Sequence, residues 1–176
     1  MNEKDLRVRK TKKAIKDTFL EAKKEKALED ITVRSICDKA GINPSTFYNH
    51  YVDIYELSDK LENELIKKRL DTITHFDSLL SNTKLFVKDI RESQKIDVEE
   101  FRILFKDRMN IYRHKIIVEV QKRCFETTDN EKERAKIIFC IGGMVNMFLN
   151  VANSDVVEKS HVPSYVDDFV AQINKS

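Results

Sequence analysis

Glycine and proline are nearly missing. The chain has 176 residues but only 3 glycines and 2 prolines, where average usage gives roughly 21 of the two together. A sheet protein of this length needs many tight turns, and turns consume both residues. Sandwiches and barrels are thereby excluded, and a mostly helical chain is expected. Long apolar runs are missing too. No stretch reaches the roughly 18 uninterrupted apolar residues of a membrane span. The polar opening, Met-Asn-Glu-Lys-Asp-Leu-Arg, has no apolar core behind it, unlike a secretory signal. Cysteine is scarce: Cys37, Cys124 and Cys140 are an odd number without close spacing. Each falls in an apolar helical pattern, where a free thiol behaves as a small hydrophobe. A reduced, cytosolic chain is expected, with neither a disulfide framework nor a zinc site.

What the chain does have is charge and apolar bulk, 35% and 41% of residues. That mixture suits amphipathic helices with one buried stripe and one wet face. It is too apolar for a disordered chain at a net charge of +2. The charge is unevenly spread. The first 50 residues carry more Lys and Arg than Asp and Glu, and the remainder reverses the balance. A basic N-terminal third on an acidic body fits a polyanionic partner, although solvated basic faces are common.

The basic arm (Lys4, Arg7, Arg9, Lys10, Lys12, Lys13) leads into Ile15, Phe19, Leu20 and Ala22, an amphipathic first helix ending near Lys26. Thr32 is an N-cap for a short helix from Val33 to Ala40. Gly41 supplies its left-handed stop. Asn43 offers a second N-cap and Pro44 takes the first helical position, the one that tolerates proline. A very short helix follows, to about Asn49. Asp53-Ile-Tyr-Glu56 then forms a capping box that opens a long helix through Leu57, Leu61, Leu65, Ile66 and Leu70. Two short helices around a tight turn make a helix-turn-helix, with Ile36, Ala40, Ile42 and Phe47 packing on the first helix. Further along, helices are predicted near 84–94, after an Asp97–Glu100 capping box, through Tyr112 to Phe125, from Asn130 to about Ala152, and from Pro163.

The stretch Ile31-Thr-Val-Arg-Ser-Ile-Cys-Asp-Lys-Ala-Gly-Ile-Asn-Pro-Ser-Thr-Phe-Tyr-Asn-His-Tyr51 closely resembles the TetR family of bacterial transcriptional regulators. The carrying features are the Thr-Val start, Ala-Gly at the turn, and Thr-Phe-Tyr-x-His-Tyr across the second short helix. The Asp-x-x-Glu-Leu that follows also matches. The likeness covers roughly residues 10–66 and looks like the short Firmicutes-type members. Ala27 replaces the Gly or Pro common after the first helix, and Ile54 stands where many members place a phosphate-contacting Lys.

The resemblance implies an all-α protein of about nine helices. Residues 1–52 would form a three-helix DNA-binding domain, and residues 53–176 an effector and dimerisation domain. It implies a cytoplasmic repressor that binds a palindromic operator as a homodimer and is released by an effector. Candidate DNA contacts are Arg34, Ser45, Thr46, Tyr48, Asn49 and His50 in the major groove, with Tyr51 on the backbone. Phe47 is expected to anchor the reading helix from inside. Ordinary roles compete: Ser45 and Thr46 also satisfy a helix N-terminus, and His50 also serves as a capping or packing residue.

One short reading helix spans too few bases for genomic specificity, so two must act together. The helix from Asn130 offers an interface, with Ile137, Ile141, Met144, Phe148 and Val151 on one face and Ile138, Val145 and Leu149 on another, so that one side can meet its own domain and the other a partner chain. Gly142 and Gly143 would permit close approach, and Phe169 and Ile173 would come from the last helix. Phe76, Leu80, Phe86, Phe101, Phe105, Tyr112 and Met147 are candidates to line a pocket for a small hydrophobic effector. No phosphate-binding glycine loop, nucleophile elbow or metal spacing is present, so no enzyme, cofactor or metal is expected. The competing reading is a helix-turn-helix dimer that acts through a protein partner without any small-molecule effector.

Overall fold

The computed structural model describes residues 3–151 and 162–175, and among them it is all-helical. Ten α-helices follow one another: α1 (Glu3–Glu25), α2 (Val33–Ala40), α3 (Pro44–Tyr48), α4 (Ile54–Leu70), α5 (Ser78–Ser81), α6 (Thr83–Ser93), α7 (Val98–Phe105), α8 (Met109–Phe125), α9 (Glu131–Val151) and α10 (Val162–Lys175). A single 3-10 turn, Leu28–Asp30, links α1 to α2. Among the described residues no helix is long and apolar enough to cross a membrane.

The chain forms two compact units. The first joins the chain up to Leu65 with Asp97–Met109; the second joins Ile66–Ile96 with the chain from Asn110 on. The expected boundary at residue 52 is therefore too simple. Most of α4, from Ile54 to Leu65, stays with the first unit, where Leu57, Leu61 and Leu65 are buried. The α7 segment joins it from beyond Ile66–Ile96 because Ile103, Leu104 and Phe105 are buried and α7 packs on α1.

Ion pairs tie that segment down in the first unit. Lys16 meets Glu100 at 2.7 Å, and Lys23, which is buried, meets Asp107 at 2.7 Å. Arg108 Nε lies 3.0 Å from Glu62 Oε1, whose side chain is 0% exposed. The N–H is not aimed squarely at that oxygen, so this is an ionic contact rather than an aligned hydrogen bond. Ser58 Oγ donates to the same carboxylate oxygen at 3.0 Å.

In the second unit Leu70, Phe86, Val120, Cys124, Ile141 and Val170 are buried, and α10 packs on α5, α6 and α9. Cys37, Cys124 and Cys140 are free and buried. Burial pushes the Cys124 thiol up to about 12, so it stays protonated and inert.

Most helix ends follow their residues. Asn82 caps α6 by accepting from the Leu85 amide at 3.4 Å, and Asn130 accepts from the Glu133 amide at 3.2 Å. Asp97 departs from expectation. Its side chain caps nothing, and its backbone sits in the left-handed region at φ 46°. The Asp97 carbonyl still accepts from the Phe101 amide at 2.9 Å. Aspartate is among the few non-glycine residues that tolerate this region. The four-residue α5 has no counterpart in the predicted helices, because one turn is too short to show a period.

Candidate nucleic-acid interface

Helices α2 and α3 are set by their caps. Thr32 Oγ1 accepts from the Ser35 amide at 3.2 Å while Ser35 Oγ accepts from the Thr32 amide at 3.3 Å, a closed capping box. Gly41 ends α2 at φ 65°, ψ 37°, a left-handed conformation that costs glycine nothing. Asn43 then departs from expectation. Its side chain makes no cap hydrogen bond; its carbonyl accepts from the Thr46 amide at 2.9 Å instead. Pro44 occupies the first helical turn, where no amide donor is needed.

Helix α3 is held by one residue. Phe47 is fully buried, its ring 5.7 Å from Tyr48 and 5.5 Å from Tyr51. Burying such a ring stabilises by about 1.5–3 kcal/mol. Ser45, Tyr48 and Asn49 are exposed, and Thr46 and His50 are half-buried. Hence a five-residue helix stands on a single aromatic peg and offers nearly all its other side chains to solvent. On α2 the Arg34 side chain is 91% exposed and reaches Asp38 only at 3.9 Å. An exposed pair this long is worth little, so the guanidinium is available to a stronger acceptor.

Tyr51 does not take its expected place. It is 6% exposed, packed on Phe47, with the Lys60 ammonium 5.2 Å from its ring centre. Burial, then Glu64 and Glu56, push its hydroxyl pKa up. Tyr51 is therefore a core residue beside Phe47. Ile54 is likewise buried, and its neighbour Tyr55 is 58% exposed at the start of α4. Tyr55 and Lys60 were not among the expected contacts. The only sequence signal for Tyr55 was an aromatic residue one position past a buried one in a capped first turn.

The electrostatics around α3 are cationic at one end. The His50 pKa is held below its ordinary value by burial, then by Lys12 of α1 and Lys60 of α4. The imidazole is thus neutral at pH 7, and the positive charges of Lys12 and Lys60 both act on it. Lys60 Nζ also donates to the His50 carbonyl at 3.2 Å and pairs with Glu56 at 3.0 Å. Glu56 in turn accepts from the Val52 amide at 2.5 Å, and Asp53 accepts from the Glu56 amide at 2.7 Å. Asp53 thus caps α4 as predicted, but Glu56 reaches back to the Val52 amide and not to that of Asp53, so the predicted capping box is only half formed.

The second unit holds a partly open cavity of about 70 Å³. Of the expected pocket residues, Phe86 and Tyr112 line it; Phe76, Leu80 and Met147 do not. Phe76 lies under Arg123, 5.6 Å from ring centre to guanidinium. Phe101 and Phe105 belong to the first unit, with ring centres 5.2 Å apart, Phe105 buried and Phe101 half-buried. Sequence reasoning missed Arg69, whose position late in an apolar helix gave no sign that it would be buried at a cavity wall.

The α9 face also differs from expectation. Ile137, Ile141 and Met144 are buried within their own unit. The exposed residues are their neighbours Ile138 at 51% and Phe139 at 60%. Phe139 stacks on Phe169 of α10 at 5.7 Å, and Tyr165 and Phe169 are themselves exposed. Ile173 is half-buried. A Cβ on Gly142 or Gly143 would meet nothing within 4 Å. The side chains of Phe148 and Val151 lie outside the described residues.

The chain matches no protein-family model and no curated protein.

Proposed function

We propose that the protein is a DNA-binding transcriptional regulator of the TetR type. It acts as a repressor that reads a palindromic operator as a homodimer and lets go when an effector binds in the second unit. The observation that carries this reading is α3 itself. A globular protein gains nothing in stability by displaying Ser45, Tyr48 and Asn49 on a helix pinned by one ring. Such a helix suits the major groove, where short polar and aromatic side chains reach base edges. Arg34, exposed on α2, adds a fork suited to guanine or phosphate. Lys60 at the His50 carbonyl, and Lys12, whose charge acts on the His50 ring, supply the attraction to phosphate that positions such a helix.

The dimer is supported by the apolar face made of Ile138, Phe139, Tyr165 and Phe169, with Gly142 and Gly143 beside it. The face fits a second copy of the chain, and the glycines leave room for a partner's backbone. Selection of bound duplexes from random DNA, followed by gel-shift titration, tests the reading. It predicts enrichment of an inverted repeat and an affinity that falls steeply with salt. No enrichment over competitor DNA would refute it.

A further inference from the structure

The second unit has a charged groove besides its apolar cavity. It lies between α6 and α10, which pack together, and measures about 370 Å³. Among the described residues its wall is Lys84, Val87, Lys88, Arg91, Glu92 and Asp167. Lys84, Lys88 and Arg91 stand at i, i+4 and i+7, on one face of α6. All three are exposed, and none has an ion-pair partner among the described residues. The acids of α6 are committed elsewhere. Asp89 accepts from the Thr74 amide at 2.9 Å and lies 2.8 Å from His75 Nδ1, while Glu92 holds Lys95 at 2.7 Å. Like charges at this spacing destabilise a helix, so the stripe adds no stability to α6. Across the groove Asp167 is half-buried. Its Oδ1 is shut off from solvent and accepts no hydrogen bond among the described residues. Burial pushes its pKa up; Asp168 adds to the rise, and Lys84 and Arg91 oppose it by charge without pairing with it.

We infer that this groove binds a small phosphate monoester that carries hydroxyl groups, with its phosphate on Lys84, Lys88 and Arg91 and a hydroxyl donating to Asp167. Donors without acceptors face an acceptor without donors, and a ligand with both kinds of group satisfies the two sides together. Charge selects the phosphate. With Glu92 matched by Lys95, the three cations outweigh Asp167 by two positive charges. A phosphate monoester at about −1.5 to −2 matches that excess, whereas a monocarboxylate leaves half of it uncovered. Size selects an ester over the bare ion. On the same measure a water needs about 10–15 Å³, so inorganic phosphate leaves most of the 370 Å³ empty. That volume falls within the roughly 300–1,000 Å³ of small-molecule sites. The groove also points away from the apolar face of α10. Asp167 is two residues from both Tyr165 and Phe169, about 200° round the helix. The site lies wholly in the second unit and stands whether or not α3 reads DNA.

Isothermal titration of the full chain at fixed low ionic strength tests the site, with glucose 6-phosphate, glucose, inorganic phosphate and a hexaglutamate peptide as probes. Saturable binding of glucose 6-phosphate is expected, with the other three at least about tenfold weaker. The double variant Lys84→Gln, Lys88→Gln should weaken glucose 6-phosphate at least about tenfold. Its circular dichroism and thermal midpoint should hold, since both side chains are exposed. Asp167→Asn relieves repulsion on any phosphate but removes the charged acceptor for a hydroxyl. It should therefore narrow the preference for glucose 6-phosphate over inorganic phosphate. An unchanged preference would remove Asp167 from the site. No saturable binding, glucose binding as tightly as its phosphate, or undiminished binding by the double variant would overturn the site altogether. Inorganic phosphate binding as tightly as the ester would overturn the ester. Hexaglutamate binding as tightly would make the groove a surface for acidic protein segments and overturn the small-ligand site.

Discussion

The pair formed by Arg108 and Glu62 offers a quantitative test of how α7 is held in the first unit. The two charges lie 3.0 Å apart, and the glutamate is 0% exposed while the arginine is 21% exposed. At an effective dielectric near 20 their attraction is about 5 kcal/mol. Desolvation of the two groups cancels most of that, so the pair adds little net stability. Breaking it on one side is different. Arg108→Met removes this cation from a buried carboxylate, which costs about 3–5 kcal/mol. Glu62→Gln is milder, about 1–2 kcal/mol, because Ser58 can still donate to the amide oxygen and the arginine reaches water. The double variant Glu62→Leu, Arg108→Met should return to within about 1 kcal/mol of the parent. Urea unfolding followed by circular dichroism measures all of these. If Arg108→Met costs under about 1 kcal/mol, or the double variant is as unstable as its two single changes added together, the pair does not hold α7 as described.

Four shorter predictions accompany it. Arg34→Ala should weaken specific DNA binding by about 1–3 kcal/mol and leave the unfolding curve unmoved, since the side chain is 91% exposed; unchanged gel-shift affinity would remove it from the contact set. Gly41→Ala should cost about 1–2 kcal/mol from the left-handed backbone alone, because a Cβ there meets nothing within 4 Å; an unchanged thermal midpoint would contradict this. Asp107 has its pKa lowered chiefly by the hydrogen bond from Lys23, so its stabilising effect is present above the unfolded value near 3.9 and lost as pH falls through the lower folded value. The stability gap between the parent and Asp107→Asn should accordingly be flat at neutral pH and close in acid, and a gap that widens in acid would reverse the sign argued here. Phe139→Asp should shift sedimentation from dimer to monomer, and an unchanged profile would move the interface off this face.

Local signals in the sequence were strong where the backbone is constrained by one or two residues. Thr32, Gly41, Pro44 and Asp53 set the ends of α2, α3 and α4 through capping hydrogen bonds and backbone preferences within four positions. Those interactions can be read without knowing what lies across the fold. Asp97 was misjudged because a capping box and a left-handed turn share the same residue preferences. Burial was harder. On α9 the apolar residues run most of the way round, so the sequence could not rank Ile137 and Ile141 against Ile138 and Phe139. Which face turns inward is decided by packing against elements distant in the chain. Arg69 and Tyr51 show the same limit: an arginine at a cavity wall and a core tyrosine beside Phe47 carry no local mark.

The central claim is that α3 and the cations around it read duplex DNA. The salt dependence of binding to a selected inverted repeat tests it most directly, with the parent compared with Lys12→Ala and with Asn49→Ala. The account predicts a steep linear fall of log affinity with log salt, a slope shallower by about 1 for Lys12→Ala, and an unchanged slope with lost sequence preference for Asn49→Ala. A flat salt response, or Asn49→Ala binding that keeps full preference for the repeat, would contradict it.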